Sequence, residues 1–477
     1  MTNFCLDLIH TLEKRGVRHN FHKYTNCIGT TMLRYMLVVA TILLIMTSSD
    51  VWTKETPNWP QFRGPGSRGV AEGKGLPFTW STTENVTWCV SVPGRGWSSP
   101  VIWGDKIFLS SALSSGKEKS IKKGLYFGGE EKTPSSNQHQ WMIYCFSVEN
   151  GKILWQVEVD TGKPKTPRHI KNNHAPETQV TDGKFVYTYF ADQGLFAHDY
   201  EGNLKWERKV QAYKTRYNWG SAASPALHGN SIYIINDNEQ NSFIEAIDKK
   251  TGQTLWHRDR DEKSNWSTPF VWENHLRIEI ITPGSGKTRS YWLDGELFWE
   301  LEGNMSAITI ATPYSAHGLL YITSGYVGDK HKPIYAIRPG AKGSIKLQKN
   351  RPIDNSIAWI QPKAAPYNPS TLVYKDLLYV LYDFGFISCF DAKNGKEIYD
   401  KIRVKERQRT PFTSSPWAYN DKIFCLSEEG DCFVFKAGRK NELLYVNKLD
   451  ELCMATPAVA AGSLFIRTAS KLYRISK

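Results

Sequence analysis

Seven side chains stand out for the chemistry they could do together: Arg95, Trp97, His174, Glu177, Trp219, Trp266 and Arg409. Each lies within a few residues of a recurring step in which Ser, Thr, Ala or Asn precedes Pro. Three indoles, two guanidinium groups, an imidazole and a carboxylate suit binding. Indoles stack on flat or apolar ligands, and the charged groups add charge-assisted hydrogen bonds. A sugar or a peptide fits such a set. Small residues would serve the same turns, so the choice of large ones is itself a signal. His174 stands alone among potential metal ligands, which reads as a hydrogen-bonded loop residue.

What positions them is a repeat. SSPVIWGDKIFLS, from Ser98 to Ser110, is the first of eight such phrases: a polar step into Pro, an apolar stretch, a polar turn, an apolar strand. The others begin at Ala175-Pro176, Ser224-Pro225, Thr268-Pro269, Thr312-Pro313, Asn368-Pro369, Ser415-Pro416 and Thr456-Pro457. Successive prolines lie 41 to 76 residues apart. A period in this range, built from strands, signals a radial array. Each unit continues as in FIEAIDKKTGQTLWHRD (Phe243 to Asp259): alternating apolar residues, a Gly turn, then a strand opening near Trp. Gly supplies the positive φ of the tight turn. Four short strands per unit describe a propeller blade. The expected fold is therefore all-β, an eight-bladed β-propeller of four-stranded antiparallel blades. The segments leading into the Pro phrases gather at one mouth of its channel, which brings the seven residues together with Asn173, Asn218, Asn265, Tyr367, Asn368 and Phe412.

The unit at Ala246, Asp248, Thr251, Gly252 and Trp256 resembles the PQQ-type propeller repeat, Ala-x-Asp-x-x-Thr-Gly-x-x-x-Trp. Trp155, Trp206 and Trp299 keep the aromatic and Tyr399 replaces it. The resemblance covers about residues 57 to 477. It includes the opening NWPQFRGPGSRGV (Asn58 to Val70), which looks like the start of secreted PQQ-like propellers of planctomycete-type bacteria. The resemblance implies relatives such as the outer-membrane assembly factor BamB and the quinoprotein dehydrogenases. One such fold hosts unrelated activities, so it leaves function open.

The eighth unit ends at Lys477 without its Gly-x-x-x-Trp strand. ENVTWCVSVPG, from Glu84 to Gly94, supplies the match, with Trp88 in the Trp position. An N-terminal strand around 85–92 is thus expected to close the ring on the last strand, near 472–475, because an open ring leaves two exposed edges. Leu37 to Met46 is a short apolar run between Arg34 and small polar residues, the pattern of a signal peptide. The expected organisation is a prefix at 1–31 whose start codon is open, a signal peptide at 32–49, an N-terminal tail at 50–84 and the propeller at 85–477. Export to the periplasm or beyond follows.

A formal charge of +13 concentrates in loops at 117–124, 163–174 and 401–409. That reads as a solvated basic face, and no nucleic-acid motif accompanies it. Cys145 and Cys389 share one repeat position, that of Ala246, and read as small core residues. Cys425 and Cys432 flank one hairpin, where a disulfide is open. The stretch from Ser111 to Gln140, rich in Lys, Ser and Gly, is expected to be a surface excursion, mobile or a flap over one face.

Enzyme signatures are sparse. Quinoprotein dehydrogenases hold the quinone PQQ against a vicinal Cys-Cys disulfide with calcium beside it. This sequence has no adjacent Cys pair and no calcium ligand set that can be carried over. GSGKT, at Gly284 to Thr288, lacks the first Gly of a phosphate loop and reads as a hairpin turn. The expectation is an exported, non-catalytic propeller that binds or scaffolds a cell-envelope protein or polysaccharide, with neither PQQ, calcium nor another metal, no nucleic acid and no integral membrane domain. The rival is a degenerate quinoprotein dehydrogenase, or another enzyme working at the channel mouth.

Overall fold

The computed structural model describes residues 57–477 apart from 74, 127, 349, 350, 353 and 354. The expected prefix and signal peptide lie outside the described residues, as do residues 50–56. The described chain falls within one compact unit, Lys54–Lys477.

Eight sheets follow one another, each with four antiparallel strands, which run in sequence order in blades I to VII. Blade I consists of Val101–Trp103, Lys106–Ser114, His139–Ser147 and Ile153–Gly162. Blades II to VIII begin at Val180–Thr181, Ala226–His228, Phe270–Glu273, Tyr314–Ala316, Leu372–Tyr374, Trp417–Tyr419 and Ala458–Ala460. Blade VIII has three strands from the C-terminus and takes its fourth from Val86–Ser91. That strand pairs antiparallel with Lys471–Ile475, Trp88 opposite Arg474 and Cys89 opposite Tyr473. The ring closes as the missing eighth strand required. Among the described residues no helix is long and apolar enough to cross a membrane.

The core is a ring of seams between blades, not one centre. Alternate residues of a strand face opposite sides of its sheet, so each middle strand serves both neighbours. In blade VII, Ile423 and Cys425 pack toward blade VI while Phe424 and Leu426 pack toward blade VIII. Cys425 and Cys432 therefore lie on opposite faces of one sheet, and both thiols are free. Burial pushes the Cys145 and Cys389 thiols up to about 12.

Two contacts explain the repeated letters. Ser99, Thr178, Ser224, Thr268, Thr312, Ser370, Ser415 and Thr456 each stand two residues ahead of an innermost strand. At six of the eight junctions the hydroxyl of one accepts from the amide of the one before. The Ser99 N–H donates to Thr178 Oγ1 (2.9 Å), Thr178 N–H to Ser224 Oγ (2.9 Å) and Ser224 N–H to Thr268 Oγ1 (3.1 Å). Thr312 donates to Ser370, Ser370 to Ser415 and Ser415 to Thr456, each at 3.0 Å. The ring needs the hydroxyl and its own amide, so a following Pro is tolerated. In blades II and VI the expected Ala175-Pro176 and Asn368-Pro369 steps fall three and two residues early. Thr178-Gln179 and Ser370-Thr371 hold the place instead.

The second contact joins Gly and Trp across a seam. The Trp206 indole of blade II donates to Lys249 O of blade III (3.0 Å) and lies on the Gly252 turn, where a Cβ would sit 2.6 Å from the ring. Trp88 on Gly151, Trp155 on Gly202, Trp256 on Gly295 and Trp359 on Gly395 repeat this. Gly is required twice over, for its positive φ and for the close approach of the ring. Trp299, expected in this series, keeps the register opposite Ser290 but turns inward and donates to Glu279 Oε2 of its own blade (2.6 Å). Trp359 takes the Trp position of blade V, behind an insertion whose Gly343–Ile345 adds in parallel to the edge of blade IV.

GSGKT is a hairpin turn of blade IV, between Ile278–Thr282 and Lys287–Tyr291. Its Gly286 and Lys287 amides donate to the Glu262 carboxylate (2.8 and 2.9 Å), so an internal anion fills the nest.

Candidate functional site

Inside the ring lies a cavity of about 370 Å³. Its walls carry the hydroxyl ring and, above it, aromatic side chains from the loops that lead into the blades.

One end is closed by the N-terminal segment. Residues 57–84 are built into the domain. Trp59 bridges to Ile102 of blade I, Pro60 O accepts from Thr181 of blade II (3.0 Å), and Gly69 and Ala71 hydrogen-bond to Ala418 of blade VII. The segment thus crosses the channel, and Phe62 faces the cavity. Arg63 anchors it. This fully buried guanidinium donates from Nη2 to Thr371 O (2.7 Å) and Arg68 O (3.2 Å) and lies over the Tyr314 ring at 5.2 Å. Burial lowers its pKa to about 10, so it stays charged at neutral pH.

The other end is the expected mouth. Trp97, Trp219 and Trp266 all line the cavity there. The Trp97 indole donates to Lys171 O (2.8 Å) and Trp266 to Gly220 O (2.6 Å); Trp219 packs against Trp266, ring centroids 5.9 Å apart. Trp266 is 7% exposed and acts as wall, whereas Trp97 and Trp219 are half-buried.

The other four expected residues are not part of that wall. Arg95 holds the base of a lid: Nε pairs with Glu118 (2.6 Å) and Nη1 donates to Lys119 O (2.9 Å). Arg409 is exposed on the rim, 5.9 Å above the Phe384 ring. His174 and Glu177 line a separate crevice at blade II, between its Ala191-Asp192 turn and the linkers on either side, of about 10 Å³, room for one water. Glu177 accepts from Ser221 Oγ (2.5 Å). Burial raises its pKa to about 8 against that hydrogen bond, so the carboxyl is mostly protonated at neutral pH. Burial holds His174 well below the usual imidazole value, so it is neutral. These four do not converge because His174 and Glu177 turn into the crevice, Arg95 turns to the lid and Arg409 turns out to solvent.

The excursion of blade I forms the lid. It is shorter than expected, since strands run to Ser114 and from His139, which pair directly. Residues 115–138 then cross the mouth. Glu118 ties the base: Arg95 and Arg168 (2.7 Å) flank it and His139 Nε2 lies at 3.9 Å. Burial favours its neutral form, but nearby His139 and the two arginines outweigh this and hold it below the ordinary carboxylate value. At the far side the lid reaches blade VII. Gly124 N–H donates to Glu428 Oε2 (2.7 Å), and Lys171 Nζ bonds both Glu428 Oε1 (2.7 Å) and Gly124 O (2.9 Å). Leu125, Tyr126, Tyr326, Lys171 and Phe62 line the cavity without having been read from the sequence as part of it. A Gly-Leu-Tyr apolar pair inside a Lys/Ser-rich loop was the available signal.

An all-β ring of eight blades, floored at one end of its axis and lidded at the other, defines the class: a closed β-propeller with a single-mouthed axial pocket. The chain belongs to the family described as outer membrane protein assembly factor BamB, whose model matches residues 51–243 and 240–477. Its structure is similar to BamB from Moraxella catarrhalis, with a TM-score of 0.55 and 11% identity over 82% of this chain and 99% of that one. It is also similar to the quinohemoprotein alcohol dehydrogenase from Comamonas testosteroni (TM-score 0.53, 11% identity, 89% of this chain and 81% of that one). ADHIIG, a quinohemoprotein alcohol dehydrogenase from Pseudomonas putida HK5, gives 0.52 and 11% over 87% and 80%. At such identity these likenesses are of fold. No curated protein matches the chain in sequence.

Proposed function

We propose that this protein is an exported binding module of the cell envelope, which holds a partner protein or polymer at the lidded mouth and performs no chemistry on it. The observation that carries the reading is the mouth: Trp97, Trp219, Tyr326 and Tyr367 converge on a pocket closed at its other end. A concave surface that combines aromatic side chains with convergent polar groups, here the hydroxyl ring below them, is the ordinary form of a binding site. Membership of a family described as an outer membrane assembly factor favours an envelope partner.

PQQ fits this lining poorly. It carries several carboxylates, and the cationic side chain on the wall, Lys171, is already paired with Glu428. Among the described residues, the rest of the lining offers hydroxyl and amide groups but no free cation to its anionic edge. We therefore expect no submicromolar binding of PQQ, with or without calcium, by calorimetry; tight binding would revive the dehydrogenase reading.

Trp219→Ala with Tyr326→Ala tests the site. Both side chains are half-buried, so the melting temperature should change little. Capture of envelope protein or polysaccharide from extract should fall at least ~10-fold, as loss of two aromatic anchors implies. Capture equal to wild type by the folded variant contradicts the reading.

A further inference from the structure

One lid contact differs in kind from loop packing. Gly124 offers only main chain, and two side chains from different parts of the ring read it: Glu428 accepts its N–H and Lys171 donates to its C=O. The Glu428 carboxylate is 1% exposed and is fixed further by the Thr413 hydroxyl, which donates to Oε1 (2.7 Å). Immediately beyond this clamp, Leu125 packs with the aromatic wall of Trp266 and Tyr367. The Tyr126 ring lies against His169, centroids 5.4 Å apart, and its buried hydroxyl has no hydrogen-bond partner among the described residues. An N–H and a C=O are what every peptide carries, and the pocket next to them selects the following side chains.

Loop closure does not call for this arrangement. Ser115 N–H still bonds Gln138 O (2.9 Å), so a tight turn there would complete the hairpin. Residues 116–137 instead travel across the mouth, and ordering them opposes folding. Most of that loop is polar and cationic, and its apolar Leu125-Tyr126 pair is the part that enters the mouth.

We propose that the mouth is a peptide-recognition site for an extended segment with an aliphatic and an aromatic side chain in succession, and that Gly124-Leu125-Tyr126 occupies it in the free protein as a tethered competitor. This rests on the binding role proposed above and narrows it to a protein partner. A tethered copy at an effective concentration of ~1 mM makes a free peptide of ~10 μM intrinsic affinity bind about 100-fold more weakly.

The probe is a fluorescein-labelled peptide of residues 121–126, IKKGLY, followed by anisotropy. Leu125→Ser with Tyr126→Ser empties the site while keeping the Glu118 anchor of the lid. This variant should bind the peptide at least tenfold more tightly than the intact protein, and adding Glu428→Gln should lose tenfold or more. A variant with an unchanged melting temperature that fails to bind, or binds regardless of Glu428→Gln, overturns the proposal. Should the double variant fold poorly, the intact protein answers: millimolar peptide must speed amide exchange across the lid by displacing it, and unchanged exchange overturns the idea. Binding of an envelope polysaccharide but not the peptide also overturns it, while leaving the mouth a binding site. The broader reading falls only through the Trp219 and Tyr326 variant.

Discussion

The two ends of the channel are closed by different means. At the floor, Trp59 is fully buried, Arg63 has no carboxylate partner among the described residues, and main-chain bonds run to blades I, II and VII. At the mouth, a loop rests on the aromatic wall and is pinned by Glu118 with Arg95 and Arg168 at its base, by Glu428 with Lys171 at its far side, and by main-chain bonds to Arg168 and Ile170 of the neighbouring linker. The floor is sewn into the fold. The lid is held by a few polar contacts that can be exchanged for those of a partner, and such local units open well before the whole domain does.

Removing residues 57–92 should have the largest effect. It takes away the floor and the strand that closes blade VIII, exposing a strand edge. Cooperative unfolding by calorimetry should be lost; an unchanged transition would mean the ring closes without them. Next, Trp59→Ala should destabilise by about 3–5 kcal/mol in denaturant unfolding, the cost of deleting a fully buried large aromatic. A lid substitution such as Leu125→Ser should stay below ~1 kcal/mol on the same curve, because its loss is local. Equal effects at the two ends would remove the contrast.

The seams give a third test. Gly252→Ala meets both a positive φ of 73° and the Trp206 ring, whereas Gly104→Ala, at φ 59°, meets open space. The first should cost about 2–4 kcal/mol and the second about 1 kcal/mol, since strain alone acts there. If the two were equal, Gly–Trp contact would add nothing to the turn.

The smallest effect concerns pH. Folded Glu177 titrates near 8, above its unfolded value in the ordinary carboxyl range. The folded protein therefore binds the extra proton, and this contribution is full at low pH and is lost as pH rises through about 8. Glu177→Gln should flatten that part of the melting-temperature profile between pH 6 and 9, because an amide oxygen can still accept from Ser221. A profile as steep as wild type assigns the slope elsewhere.

The fold was legible because its letters recur: eight polar steps, the Gly–Trp turns and the match between Trp88 and the absent last strand. What each letter does was less so. Pro marked the repeat visibly, yet the hydroxyl does the joining, which is why blades II and VI were placed three and two residues early. Trp359 was hidden behind an insertion that broke the spacing. At the mouth, periodicity located Trp97, Trp219 and Trp266 but could not say which way Arg95, His174, Glu177 and Arg409 turn. Lys171 meeting Glu428 from 257 positions away follows no period at all.

Amide hydrogen exchange over the whole chain, read at 59–71 and at 118–131, tests the account most directly. The lid should exchange at least ~100-fold faster than the floor, reflecting local opening against global unfolding. It should gain speed again in Glu428→Gln while the floor stays unchanged. A lid as slow as the floor, or a floor that quickens together with the lid, would contradict a sealed end and an openable one.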